Sequence, residues 1–93
     1  EKYCYEVFLQ DTNWTLGEMP STNKKYLCRI RYRQKKIGCK IICQSNQENN
    51  VEKNEVKIIF DEPQMGVASG QSLVLYSSSN KINEICLGGG IIK

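Results

Sequence analysis

Apolar and polar residues alternate along much of this chain with a period of two, the spacing of half-buried strands. Tyr26, Cys28, Ile30 and Tyr32 fall on one side of such a strand, and Leu27, Arg29, Arg31 and Arg33 on the other. Residues 3–9, 37–43, 55–60 and 73–76 carry the same branched and aromatic bias, and short apolar pieces at 84–87 and 91–92 flank Gly88-Gly89-Gly90. Residues 45–54 are polar and read as a loop or hairpin tip, and 77–83 as a second polar loop. Asp61-Glu62-Pro63 is expected to end its strand, because proline cannot donate to a ladder. No segment sustains a helical period; residues 65–69 fit at most a single turn. Many short strands with Gly and Pro punctuation predict an all-β domain, built as a small barrel. Residues 17–23 are turn-rich and look like a linker. They predict a boundary near residue 20, with 1–20 as the end of a preceding central domain and its linker, and 21–93 as the barrel.

The 93 residues are enough for one domain with one modest core. No apolar run approaches the roughly 20 residues that span a bilayer, so no membrane contact is expected. The first residues, Glu1-Lys2-Tyr3-Cys4-Tyr5, show neither the order of a signal peptide nor an initiator methionine, and read as an internal segment of a longer chain. The net charge of +3 is unevenly spread. Residues 19–47 hold eight basic side chains (Lys24, Lys25, Arg29, Arg31, Arg33, Lys35, Lys36 and Lys40) and no acid, so the rest of the chain carries −5. Like charges along one strand face repel, and acids opposite are the usual remedy. A cluster left without them suits a polyanion, and tyrosines interleaved with arginines suit RNA. The plainer alternative is a solvated strand face.

Catalytic chemistry is thin. There is no histidine, the commonest general base, and no pair of carboxylates spaced to share a proton. The five cysteines, Cys4, Cys28, Cys39, Cys43 and Cys86, include no C-x-x-C pair and make neither a zinc site nor an even disulfide set. They read as free buried thiols in a reducing compartment, with a disulfide framework as the alternative. Cys28 lies among arginines, which would favour a reactive thiolate, but its place on the apolar side of its strand makes it a core residue. The triple glycine lacks the lysine and the following helix of a phosphate loop; a tight turn or bulge, with close approach of two backbones, accounts for it better. No catalytic and no metal-ligating residue is assigned.

Four motifs stand in series: Arg31-Tyr32-Arg33-Gln34, Phe60-Asp61-Glu62-Pro63, Gly70-Gln71-Ser72, and Cys86-Leu87-Gly88-Gly89-Gly90-Ile91-Ile92. Together they resemble the C-terminal region of the tRNA-specific 2-thiouridylases, and Asp11-Thr12-Asn13-Trp14 resembles the segment that leads into it. The likeness runs from about residue 11 to the end. It departs at Gly38, where the family usually has proline, and at Ala68-Ser69, where the family usually has Thr-Pro before Gly-Gln-Ser.

The resemblance implies a six-stranded antiparallel β-barrel, similar to a β-barrel domain of translation elongation factors, that helps hold tRNA. It implies that the full enzyme uses ATP (with Mg) and a persulfide sulfur to make 2-thiouridine at the wobble position of tRNAs for Lys, Glu and Gln. Its implied partners are those tRNAs, the N-terminal catalytic domain of the same chain and a sulfur-relay donor protein, in the cytoplasm or an organelle. No cofactor is expected in residues 1–93. The implied RNA contacts fall on Arg31 for phosphate, Tyr32 for stacking or hydrogen bonding, and Gln71 for backbone or base. Arg33, Lys35 and Lys36, with Lys24 and Lys25, would supply longer-range attraction. Arg31 and Tyr32 are adjacent, so both can reach one ligand only at a strand end, an edge or a bulge. The rival reading is a structural barrel that docks on its own catalytic domain with little RNA contact. A stand-alone enzyme is disfavoured by the missing chemistry.

Overall fold

The computed structural model describes residues 3–22, 24–31, 34–48, 51–77 and 85–93, with the backbone alone at 45–48 and 51–54. Its strands are β1 (Tyr3–Trp14), β2 (Lys25–Arg29), β3 (Ile37–Glu48), β4 (Val51–Met65), β5 (Ser72–Ser77) and β6 (Cys86–Ile92). They close into an antiparallel barrel in the spatial order β1-β4-β3-β2-β5-β6, with β6 returning to β1. The all-β, six-stranded barrel expected from the sequence is therefore the fold.

The period of two becomes the inside of this barrel. Val7 and Leu9, Tyr26 and Cys28, Cys39 and Ile41, Val56, Ile58 and Phe60, Leu73 and Leu75, and Ile92 are buried in one cluster. Each pair is two apart on its strand, as a pleated strand with one face to the core requires. Among the described residues no polar or charged side chain is buried. Apolar burial, at about 1.5–3 kcal/mol for each large side chain, is thus the main favourable term inside.

β6 works differently. Of its residues only Ile92 is buried, and Gly88, Gly89 and Gly90 lie within the strand. A Cβ at Gly89 would fall on the Leu73 carbonyl, and one at Gly88 on the Asn13 carbonyl. The expected close approach of backbones is correct. Of the two expected forms, a tight turn or a bulge, the turn is absent: residues 86–92 form one continuous strand, with register shifts in its ladders to β1 and β5, that admits both because it has no side chains at the glycines.

The sequence boundary near residue 20 does not hold. β1 pairs with β4 from Tyr3 to Leu9 and with β6 from Leu9 to Trp14, so residues Tyr3–Trp14 are part of the barrel and it does not start at residue 21. Of the two readings of the polar stretch 45–54, a loop or a hairpin tip, the pairing agrees with the second: β3 and β4 stay paired from Cys43↔Val56 to Glu48↔Val51. By then β1 has left β4 at Val56 and β2 has left β3 at Lys40, so this ribbon has no core to face and needs no apolar alternation. Pro63 does not end β4 either. Cys4 opposes Gln64 while Glu6 opposes Ile59, so residues 60–63 stand against Tyr5 alone, and proline sits in that irregular stretch of the ladder.

All five cysteines are free, but only Cys28 and Cys39 are buried; Cys4 is half-buried, and Cys43 and Cys86 are exposed. A hydrogen bond with the Cys28 thiol, and then burial, push the Cys39 thiol far above the usual thiol range. The unfolded chain loses this proton near pH 8.5 and the folded chain keeps it, so stability is full below that pH and falls above it. Urea melts should show a loss approaching about 1.4 kcal/mol per pH unit between pH 8.5 and 10. Cys39→Val should remove most of that slope. A wild-type stability flat over this range would refute the burial of the Cys39 thiol.

Candidate nucleic-acid interface

Strand directions decide which connections meet. β2 and β4 run towards the barrel end where β1 starts, and β3 and β5 set out from it. The connection after Arg29 and the connection after Met65 therefore share the Tyr3 end, with the end of β6 beside them. The β1–β2 connection lies at the opposite end. Arg31 and Gln71, 40 residues apart in sequence, are thus on neighbouring loops of one barrel end.

β2 stops at Arg29, so Arg31 is not on the strand face that alternation suggests. It opens a turn closed by Gln34 N–H donating to the Arg31 carbonyl at 2.9 Å. The Gln34 side chain completes the turn. Its Oε1 accepts from Ile30 N–H (3.0 Å) and Arg31 N–H (3.3 Å), two backbone donors left without a ladder where β2 ends. Its Nε2 donates to Gln64 Oε1 (3.1 Å), and Gln64 Nε2 donates to the Glu62 carbonyl (2.9 Å). Because Oε1 faces two N–H donors, the orientation of this amide is fixed by its partners. Tyr32 and Arg33, both candidates from the sequence, lie outside the described residues.

The Arg31 guanidinium reaches across to the second loop, where Nη2 donates to the Gly66 carbonyl at 2.7 Å. Gly66 has φ 70°, and a Cβ there would lie 2.6 Å from Arg31 Nη2. Glycine suits this left-handed backbone, and a Cβ there would displace the arginine tip from its present position. Further along the loop, Gln71 Oε1 accepts from Ala68 N–H (2.8 Å), and Gln71 N–H donates to the Ala68 carbonyl (3.3 Å). Gly70 N–H and the Gln71 carbonyl bond to Ile92, tying the loop to β6. Ser69, where proline was expected to constrain this turn, is thus compensated by the Gln71 side chain. Arg31 is exposed and has no carboxylate partner among the described residues, so its remaining N–H donors face solvent.

The other basic residues divide. Arg29 Nη2 donates to the Tyr76 hydroxyl (3.0 Å), and Lys36 Nζ sits 4.3 Å from the centre of the same ring, so Tyr76 directs both cations. Lys35 is exposed. Lys25 is ion-paired with Asp61 at 2.6 Å. The segment without acids in sequence is therefore partly compensated in space, by β4. Asp61 and Glu62 share with Lys35, Lys36, Gln34 and Gln64 a cleft of about 410 Å³ beside the turn. Sequence reasoning missed Asp61, Gln34, Gln64 and Gly66 as parts of this site. Gln34 was signalled only as the last residue of the Arg-Tyr-Arg-Gln run, Asp61 only within Phe60-Asp61-Glu62-Pro63, Gly66 only as part of the stretch 65–69 that fits a single turn, and Gln64 not at all.

The model of the aminomethyltransferase β-barrel domain family matches residues 5–92. The chain belongs to that family. Its barrel is of the kind carried by tRNA-specific 2-thiouridylases, as the four motifs indicate. One such relative, tRNA-specific 2-thiouridylase MnmA 2 of Aliarcobacter butzleri, is 43% identical over 82 residues, which are 86% of this chain and 18% of the relative. The enzyme MnmA of Acinetobacter baylyi is 40% identical over 88 residues, 92% of this chain and 21% of the relative. That of Neisseria meningitidis FAM18 is 35% identical over 91 residues, 98% and 21%. The chain thus spans about a fifth of the length of the curated relatives it matches. Within this family the match begins at Tyr5, inside β1, in keeping with a barrel that includes the first strand.

Proposed function

We propose that this barrel holds tRNA for a tRNA-specific 2-thiouridylase, presenting Arg31 to a backbone phosphate and Gln71 to the backbone or a base, with Tyr32, next to Arg31 in sequence, as a further contact by stacking or hydrogen bonding. Arg33, Lys35 and Lys36 add longer-range attraction. The observation that carries this reading is the joining of two loops by the Arg31–Gly66 hydrogen bond, between residues 35 apart in sequence, with the exposed guanidinium left without a carboxylate among the described residues. A guanidinium fixed at one nitrogen and open at the others is suited to a phosphate.

The reaction itself, thiolation of the wobble uridine with ATP and a persulfide sulfur, belongs in this proposal to a catalytic domain of the longer enzyme, acting in the cytoplasm or an organelle. The Gly88–Gly90 run is part of strand β6, with the backbones of β1 and β5 close beside it, and among the described residues no helix follows it as in a phosphate loop. Among the described residues no three His, Cys, Asp or Glu side chains group to hold a metal.

A second reading, docking on the catalytic domain, is favoured by one observation. Tyr3, Tyr5 and Met65, at the same barrel end, are 60%, 63% and 43% exposed, and Tyr3 pairs with Met65. A gel shift with tRNA at low and moderate salt separates the two. Binding by residues 1–93 at low salt that weakens steeply with added salt is expected. No binding at low salt would favour docking.

A further inference from the structure

We infer that Gln34 is a positioning residue for tRNA, acting through Arg31; this rests on the tRNA-holding reading above. Three features carry it. The Gln34 side chain takes both backbone N–H groups that precede the turn, at Ile30 and Arg31, so it sets the backbone from which the Arg31 side chain leaves. Its main-chain N–H holds the Arg31 carbonyl, fixing the other side of the same residue. Its amide nitrogen is anchored on Gln64 of β4, one residue before Met65 and two before Gly66, whose carbonyl holds the Arg31 guanidinium.

Gln34 and Gln64 thus join the two RNA-facing loops through a second route, independent of the arginine itself. Arg31 is held at its backbone by one side chain and at its tip by a carbonyl of the strand end to which that side chain is tied. A long exposed arginine otherwise loses rotamer freedom when it binds, and holding it beforehand reduces that cost. A half-buried amide that satisfies two donors and is itself held does this with no charge of its own to repel phosphate.

The test is a double-mutant cycle on tRNA affinity in the full-length protein, across a salt series, with thermal melts of each variant. Gln34→Met keeps the length of the side chain and removes both acceptor and donor. It should weaken tRNA binding by about tenfold, the scale of one hydrogen bond to a charged group. Its salt slope should move towards that of Arg31→Ala. The double variant should bind no more weakly than Arg31→Ala alone, because both changes remove the same contact. Additive losses, or an affinity unchanged in Gln34→Met when Arg31→Ala has an effect, overturn the role of Gln34 and leave the tRNA reading standing. An unchanged affinity in Arg31→Ala overturns both. Should Gln34→Met fail to fold, Gln64→Met removes the anchor without touching the turn. It should show the same non-additivity with Arg31→Ala, and additive losses there overturn the inference equally.

Discussion

Replacing Gly89 with alanine should open the barrel. Gly89 pairs with Val74 on one side and Asn13 on the other, so it closes the sheet between β5 and β1. A Cβ there falls on the Leu73 carbonyl, with the Leu73 carbonyl carbon at 2.9 Å and Val74 Cα at 3.1 Å. These are backbone atoms. They can move aside only if the β5–β6 ladder gives way, unlike the tip of a flexible side chain. Overpacking a core typically costs about 1–3 kcal/mol, and a clash with backbone belongs at or above the top of that range. Against a total of about 5–15 kcal/mol, that is a large share. For a domain of this size, melting followed by far-ultraviolet circular dichroism should fall by more than about 12 °C. Gly17→Ala is the control. Unlike Gly89 it sits at positive φ (83°), and nothing lies within 4 Å of its Cβ, so only the left-handed backbone is penalised, at about 1–2 kcal/mol. Equal melting temperatures for the two variants would show that close approach of strands is not what the triple glycine provides.

Much of the barrel is legible in the alternation of Tyr26 with Cys28, Val56 with Ile58 and Phe60, and Leu73 with Leu75, because one face of each strand must meet the core. The parts that are not legible fail for definite reasons. β1 was set apart from the barrel because residues 17–23 look like a linker, while its pairing with β4 and β6 spans some 50 to 80 positions that no local pattern records. The ends of β3 and β4 read equally as a loop or a hairpin tip, because a ribbon beyond the core keeps its ladder without apolar alternation. β6 looks broken because glycine usually marks a turn, whereas here the missing side chains admit neighbouring strands.

The site divides in the same way. Arg31 and Gln71 were named from motifs, and the strand ending at Arg29 answers how Arg31 escapes the geometry of a regular strand. The compensation of Lys25 by Asp61 was hidden, since β4 supplies the acid from 36 residues away. The role of Gln34 depends on two N–H groups that become unpaired only once the end of β2 is known.

The largest effect expected on function is that of Arg31→Ala. The guanidinium is the one cation on these loops that has a defined tether to the second loop and no carboxylate among the described residues. Lys25 is neutralised, and Arg29 and Lys36 are engaged with Tyr76. Loss of a single phosphate contact should weaken tRNA binding by about tenfold at low salt. Lys25→Ala should change it little, because removing one partner of an exposed ion pair alters an interaction worth at most about 1 kcal/mol. The most direct measurement is tRNA affinity against salt concentration for the wild type and Arg31→Ala, plotted as log against log. A barrel that holds tRNA through Arg31 should give a steep wild-type slope that becomes shallower by about one unit in the variant. A wild-type affinity indifferent to salt, or a slope unchanged in Arg31→Ala, would contradict it.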